Sequence, residues 1–512
     1  MFRRILETLP KSGNVWRNAI MATCQVIVAG GVLFFLYRYL LNKLGSENVG
    51  IWAVVLSTAS ASRISELGLS GGTIKFVAAA NARGDFRKSA DIVQTASITI
   101  GIILAIVLIA GYPIIGLILS HIVPAVSLSR ALELLPYALA SIWLGGTGGV
   151  IHSSLDGCQR ADLRAVVSMV AVVLYLLLVF MLVPMYGLIG LGMAQICQAL
   201  FIMAVSWTFL RRQISALPLV PFRWRFNVFR EMFSYSVNFQ VISIFSMLYE
   251  PLTKAFLTKL GGLSATAYFE MANRMVTQFR ALVVSANQVL VPKMAAVHET
   301  APEKISQFYR DTYRIVFFLV VPLFALLIAA TPLIGFVWIG YKQPDFIFFG
   351  VVVSLGYLIN ILSGPAYFMN LGIGALRWNV LSHIVLGLAT ACLGYVFGII
   401  WGSRGVVIGF VIALVLASAI IVLGTYKDQN FSFHDLIPGE SRWLIFGSFT
   451  AIILVYFANT VVIDGISSVL HYLIGLIAAI LILMPAVWCH PVRAIIWTRL
   501  ANIHAQSSER NA

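Results

Sequence analysis

Long runs of apolar residues, separated by short polar connections, follow one another along the whole chain. Each run is long enough to cross the hydrocarbon core of a bilayer, about 30 Å thick, as a helix. Helices are required because lipid offers the backbone no hydrogen-bond partners. The pattern predicts an all-α membrane protein with fourteen transmembrane helices, at about 17–40, 48–68, 89–112, 132–153, 164–184, 187–210, 230–253, 263–288, 309–331, 344–368, 377–399, 404–425, 442–463 and 467–489.

Short segments recur in the same order at a nearly constant spacing. The segment 41–45 (LNKLG) returns as 257–261 (LTKLG), and the segment 186–190 (YGLIG) returns as 401–405 (WGSRG). This indicates two parallel six-helix repeats plus two additional C-terminal helices, because an even number of spans makes both repeats enter the membrane the same way up. The predicted domains are an N-terminal six-helix bundle at 1–210, a cytoplasmic linker at 211–229, a C-terminal six-helix bundle at 230–426, and helices 13 and 14 with a cytoplasmic tail at 427–512.

Composition strengthens the membrane prediction. Hydrophobic residues make up 60% of the chain and charged residues 11%, whereas about 25% is usual for soluble domains. The formal net charge of +15 comes from Lys and Arg concentrated in the connections on one side, as the positive-inside rule describes. We therefore expect both termini in the cytoplasm and no binding of nucleic acid.

Sequence motifs for chemistry are missing. The chain has no phosphate-binding loop, no H-E-x-x-H pair and no G-x-S-x-G elbow, and its five cysteines lack metal-ligand spacing. We expect no catalytic residue, no metal and no cofactor, and a protein that is not an enzyme. The basic start lacks a small-residue cleavage site, so no removable signal peptide is expected.

Basic side chains within or at the ends of the apolar spans are the candidate binding residues. A central Arg costs roughly 2.5–3.5 kcal/mol on insertion scales, so such residues tend to face water, a partner or a cargo. The repeat relates position 38 to position 254, and position 63 to within one residue of position 280. We predict a central cationic cavity that binds substrate through Arg38, Arg63, Lys254, Arg274 and Arg280.

Three carboxylates lie on the same spans and could orient these cations or couple to an ion: Glu66, Glu250 and Glu270. Each is three or four positions from one of the bases, a spacing that allows pairing within one helix. Internal neutralisation is therefore the alternative to a binding cavity. The polar side chains expected to line the cavity are Ser60, Asn238, Gln240, Asn273 and Gln278.

The layout of six, six and two spans, with L-x-K-L-G in both halves and [YW]-G-x-x-G before spans 6 and 12, resembles the polysaccharide flippases. These are the Wzx-type O-antigen and exopolysaccharide translocases of the MATE-like multidrug/oligosaccharidyl-lipid/polysaccharide exporter superfamily. The resemblance covers residues 15–490 and implies a protein of the bacterial cytoplasmic (inner) membrane. It implies that a polyprenyl-pyrophosphate oligosaccharide is moved from the cytoplasmic to the periplasmic leaflet by alternating access. Its implied partners are this cargo, membrane lipids, an H⁺ or Na⁺ counter-ion and polysaccharide polymerase or export machinery.

Other functions stay open at this point. A drug/cation antiporter of the same superfamily would use an acidic residue in span 1 or 7, and Glu250 in span 7 keeps that reading open. A lipid II flippase shares the layout. A membrane glycosyltransferase or polymerase would need a catalytic acid or base on a substantial external loop, and none is apparent.

Overall fold

The computed structural model describes residues 13–62, 69–288, 294, 297–432, 436–458 and 468–493. These residues form helices and connecting turns, with no strand among them. In chain order the helices are α1 (Gly13–Ser60), α2 (Leu69–Ala82), α3 (Phe86–Ile122), α4 (Ala125–Gly157), α5 (Ala161–Gln213), α6 (Phe226–Gln288), α7 (Ile305–Ile339), α8 (Pro344–Leu362), α9 (Gly364–Ile373), α10 (Arg377–Gln429), α11 (Arg442–Ala458) and α12 (Ser468–Trp488).

The helices account for the predicted spans. In the described part of the chain, nine helices are long and apolar enough to cross a membrane. Four helices are each broken into two sections at a glycine, namely α1, α5, α6 and α10. Counted by section, the described chain has a helix for each of the fourteen predicted spans, so the all-α membrane fold is confirmed.

The helix breaks occur where the sequence repeats. Gly187 (φ 56°, ψ −130°) and Gly402 (φ 62°, ψ −141°) take nearly the same conformation, as do Gly45 (φ 76°, ψ 166°) and Gly262 (φ 85°, ψ 171°). These regions are open to glycine and strained for other residues. The sequence repeat pairs Gly45 with position 261, but the backbone breaks one residue later.

The second glycine of the [YW]-G-x-x-G motif has a packing role. A Cβ atom at Gly190 would clash with the backbone carbonyl of Leu182, and one at Gly405 would clash with that of Phe397. Both contacts join the two sections of one broken helix. The absence of a side chain therefore lets consecutive spans pack closely just after each break.

The chain forms two compact units, Met1–Ala267 and Tyr268–Ala512. The second unit contains an apolar cluster of small and branched side chains where α11 and α12 pack on α7. The two additional C-terminal helices are thereby part of this unit. The predicted domain boundary at the linker separates the two sequence repeats, and it stays a prediction.

In the first unit the two glycine breaks of α1 and α6 lie against each other. The hydroxyl oxygens of Ser46 and Ser264 are 2.9 Å apart and share a hydrogen bond. Gly50 packs so closely on the backbone of Leu263 that a Cβ atom would clash with its carbonyl. These contacts join the turn between spans 1 and 2 to the turn between spans 7 and 8.

The segment between α5 and α6 lies along α3 in the same unit. The Gln94 side-chain oxygen accepts hydrogen bonds from the backbone N–H groups of Phe222 and Arg223, both at 3.2 Å. Arg225 pairs with Asp91 at 2.8 Å, and the Trp224 indole donates to the Thr99 hydroxyl at 3.0 Å. Side chains of α3 thus satisfy the backbone of this irregular segment, as buried polar groups require.

Candidate functional site

Some of the predicted site residues lie outside the described residues. This applies to Arg63 and Glu66, and to the side chains of Asn238 and Gln240, whose backbone is helical in α6. Their predicted roles stay predictions.

Lys254 forms an ion pair in the first unit. Its ammonium nitrogen is 2.7 Å from Oε1 of Glu250, one turn earlier on α6. The Lys254 side chain is 3% exposed and that of Glu250 is 38% exposed. The buried charge therefore has a carboxylate partner on its own helix, as the i,i+4 spacing allows.

Arg274 is paired in a similar way in the second unit. Its Nε donates to Oε1 of Glu270 at 2.7 Å, and here the carboxylate is the buried member, at 2% exposure against 42% for Arg274. Asn273 beside it is buried, and its side-chain oxygen has no hydrogen-bond partner within the described residues.

Three further predicted residues are more accessible. Arg38 is exposed on α1, and Gln278 is half-buried on α6. Ser60 is half-buried near the end of α1 and donates a hydrogen bond to the Ser57 carbonyl at 2.7 Å. Arg38 and its repeat counterpart Lys254 thus have different environments, one exposed and one buried.

Arg280 differs from the two paired cations, because among the described residues it forms no ion pair. Its Nε donates to the side-chain oxygen of Asn360 at 3.3 Å, and the Asn360 amide nitrogen donates to the Ser418 hydroxyl at 3.1 Å. The guanidinium carbon lies 5.6 Å from the centre of the Tyr357 ring. The Arg280 charge is therefore half-buried among neutral polar and aromatic groups.

Two more side chains belong to this cluster. The rings of Tyr367 and His383 meet edge to face, with centroids 6.1 Å apart, and the Arg280 charge acts on both. We call the whole cluster the Arg280 site. It consists of Arg280 from α6, Tyr357 and Asn360 from α8, Tyr367 from α9, and His383 and Ser418 from α10.

Helix register places four of these residues at one level. Arg280 is eighteen residues after the break at Gly262, and Asn360 is sixteen residues after the start of α8 at Pro344. Ser418 follows the Gly402 break by sixteen residues, and His383 precedes it by nineteen. At 1.5 Å per residue, each lies about 24–29 Å from that end of its helix.

Sequence reasoning found Arg280 but missed the rest of the site. The sequence gives no spacing signal for Tyr357, Asn360 and His383, because they come from different helices and meet only in the folded unit. His383 is an isolated histidine, for which a core role is the simple interpretation. The one available signal was a polar residue inside an otherwise apolar span.

The chemistry of the Arg280 site suits an anion with attached hydroxyl groups. A guanidinium forms charge-assisted, often bidentate, hydrogen bonds with phosphate or carboxylate. Amide, hydroxyl and imidazole groups around it can donate to and accept from neutral polar ligands. In the described residues no cluster of His, Cys, Asp and Glu could hold a metal ion.

Solved structures show which class of membrane protein has this fold. The chain is similar to an inward-facing multidrug resistance MATE family transporter of the MOP superfamily (TM-score 0.67, 16% identity, 80% of this chain and 98% of that one). It is also similar to the lipid II flippase MurJ in an inward closed conformation (TM-score 0.65, 14% identity, 94% and 100%). A MOP superfamily transporter from Pyrococcus furiosus matches as well (TM-score 0.60, 15% identity, 82% and 99%). The chain therefore shares the fold of these multi-pass membrane proteins.

The family follows from the sequence match over residues 44–342, which is more than half of the chain. The protein belongs to the family described as "Polysaccharide biosynthesis protein". This confirms the resemblance to the polysaccharide family. No curated protein matches this chain significantly.

Proposed function

We propose that this protein flips a polyprenyl-pyrophosphate-linked oligosaccharide from the cytoplasmic to the periplasmic leaflet during surface polysaccharide biosynthesis. Arg280 binds the pyrophosphate in this proposal. The supporting observation is the environment of Arg280, a half-buried cation inside a membrane span that forms no ion pair within the described residues. Such charges in a membrane are retained mainly for cargo or ions.

The depth of the Arg280 site in the membrane supports the proposed direction of flipping. With the basic connections inside, as the positive-inside rule predicts, the breaks at Gly262 and Gly402 face the periplasm. The site then lies in the cytoplasmic half of the membrane, where an anionic head group from the inner leaflet arrives. The membrane potential, negative inside, favours outward movement of a net anion by about 2.3 kcal/mol per charge per 100 mV.

The contacts between the turns in the first unit support alternating access. The Ser46–Ser264 hydrogen bond and the Gly50–Leu263 packing lie at the end predicted to face the periplasm. We infer that these contacts close the outer side while cargo is loaded from the inside. Separation of the two turns would open that side, as in the rocking motion of transporters built from repeats.

The drug/cation antiporter is less well supported. That function needs an intramembrane carboxylate available to a cationic substrate or ion. The two described candidates, Glu250 and Glu270, are each 2.7 Å from a base on their own helix. A lipid II flippase would also need a pyrophosphate-binding site. It differs from the proposed function only in the glycan that the carrier lipid bears.

Flipping in liposomes tests the proposal. Protein reconstituted with a fluorescent polyprenyl-pyrophosphate saccharide is expected to move it between leaflets, and Arg280→Ala is expected to slow this at least tenfold. The reason is that charge-assisted hydrogen bonds contribute about 1.5–3 kcal/mol each. The matched control is Arg404→Ala, which removes an exposed pair with Asp345 and should change the rate by less than twofold.

Two results would contradict the proposal. One is a wild-type protein that moves no pyrophosphate-linked saccharide across a range of glycans. The other is an Arg280→Ala protein that is folded and monodisperse but flips at the normal rate.

A further inference from the structure

Among the histidines of the described residues whose ring nitrogens are buried, His383 is the one with unused hydrogen-bonding capacity. Both of its ring nitrogens are buried, and neither has a hydrogen-bond partner within the described residues. His152 shows the usual arrangement, since its two nitrogens lie 2.9 Å from the Ser206 hydroxyl and 3.0 Å from the Ser168 hydroxyl. A buried polar group without a partner destabilises the folded protein. A histidine held in this way calls for a ligand or a functional reason.

The surroundings of His383 define what such a ligand must carry. Arg280, whose charge acts on the imidazole, supplies a cation for an anionic group. Tyr367 presents its ring at 6.1 Å between centroids, and the ring of Tyr357 lies under the guanidinium. A ligand that uses these groups combines an anion for Arg280 with a neutral polar group for His383, next to the Tyr357 and Tyr367 rings.

The neutral group is best supplied by a hydroxyl. A neutral imidazole has one N–H donor and one bare nitrogen acceptor. A hydroxyl group can match either nitrogen, because it accepts from the N–H through its oxygen or donates its proton to the bare nitrogen. A phosphate oxygen could use only the donor, and a hydrocarbon could use neither.

We propose that His383 is a specificity-determining residue that hydrogen-bonds a hydroxyl of the sugar attached directly to the pyrophosphate. This rests on the proposed function, because it takes Arg280 as the phosphate-binding residue. His383 then distinguishes a glycosylated carrier lipid from the bare polyprenyl pyrophosphate that shares its membrane. The unsatisfied imidazole in the empty protein is retained for this discrimination.

Binding to short-chain probes tests the proposal. The probes are farnesyl pyrophosphate and farnesyl pyrophosphates that carry glucose, galactose or N-acetylglucosamine. The purified full-length protein is expected to bind at least one sugar-bearing probe about tenfold more tightly than the bare pyrophosphate. His383→Leu should lower this tenfold preference to less than twofold, and His383→Gln, which keeps a donor and an acceptor, should restore part of it.

Thermal unfolding of the empty protein provides a second readout. His383→Leu should unfold at a higher temperature than the wild type, because it removes an unsatisfied buried polar group. His152→Leu is the matched control and should unfold at a lower temperature, because it breaks two hydrogen bonds.

The outcomes separate the two proposals. If the wild type binds none of the four probes, both the pyrophosphate function and the role of His383 are wrong. If the wild type binds but shows no preference for a sugar, or if His383→Leu keeps that preference, only the role of His383 is wrong. Equal weakening of all probes by His383→Leu, or a lower unfolding temperature, would make His383 a structural residue and also overturn its role.

Discussion

At the residue scale, three described basic side chains of the spans have two kinds of environment. Lys254 and Arg274 each bond a carboxylate on their own helix, whereas Arg280 bonds only the neutral Asn360 in the described structure. A paired charge inside a protein affects stability, because loss of one partner leaves the other as an uncompensated buried charge. The paired residues and Arg280 should therefore respond differently to substitution.

The pair of Glu270 and Arg274 allows a direct test. Arg274→Ala should lower the free energy of unfolding by roughly 1–3 kcal/mol, less than for a fully buried pair, because Arg274 is 42% exposed and screened. Glu270→Gln added to Arg274→Ala should recover part of this loss, since the stranded charge is removed. Thermal unfolding in detergent, followed by tryptophan fluorescence, measures both effects. An unchanged transition in Arg274→Ala would mean that the pair has no structural role.

The same pairs show how far residue-level prediction reaches. The spacing of Glu250 from Lys254 and of Glu270 from Arg274 follows from the helix repeat alone, so the sequence could predict these contacts. Asn360 and His383 could not be predicted as neighbours of Arg280. Their proximity depends on how α6, α8 and α10 pack, and a single sequence carries no signal for that.

At the scale of the elements, the glycine motif sets how consecutive spans turn and approach each other. Gly187 and Gly402 supply backbone conformations that other residues rarely adopt. Gly190 and Gly405 supply the space for close packing three residues later. The two glycines of the motif therefore have distinct roles: the first adopts an unusual backbone conformation, and the second leaves room for close packing.

Substitution of the second glycine should be costly. Gly190→Ala places a Cβ atom against the Leu182 carbonyl, a backbone group that cannot rotate away, and should destabilise the protein by about 1–3 kcal/mol. Gly149→Ala in α4 is the control, since nothing lies within 4 Å of its Cβ position and its effect should be neutral or stabilising. Unfolding temperatures of the two variants decide the matter, and equal values would refute the steric role of Gly190.

The elements themselves were largely predictable. Apolar length located all the spans, and the repeated Y-G-x-x-G and W-G-x-x-G segments marked the breaks at Gly187 and Gly402. The sequence repeat aligns Gly45 with Gly261, whereas the backbone breaks at the adjacent Gly262, because sequence similarity cannot decide which of two neighbouring glycines takes the unusual conformation.

At the scale of the whole molecule, the proposed alternating access makes the contact between the two turns reversible. The Ser46 and Ser264 hydroxyl oxygens are 2.9 Å apart, so cysteines at these positions are close enough for a disulfide after small adjustments. In a background without the five native cysteines, Ser46Cys/Ser264Cys should stop flipping when oxidised and recover at least half of its rate when reduced.

Single-cysteine variants control for the substitutions themselves. Ser46→Cys and Ser264→Cys alone should flip at the same rate under oxidising and reducing conditions. Continued flipping by the fully cross-linked double variant would show that these turns do not need to separate during transport.

The segment between α5 and α6, which is hydrogen-bonded to side chains of α3, determines where the polypeptide can be divided. The chain after Gln213 still belongs to the first unit, because Gln94, Asp91 and Thr99 engage Phe222 to Arg225. The Trp207 indole also donates to the Leu219 carbonyl at 2.8 Å. Two separately expressed fragments would therefore keep these bonds within one polypeptide only if the first fragment ended at or after Arg225. A break near Pro218 would leave Phe222 to Arg225 held to the first fragment by non-covalent contacts alone.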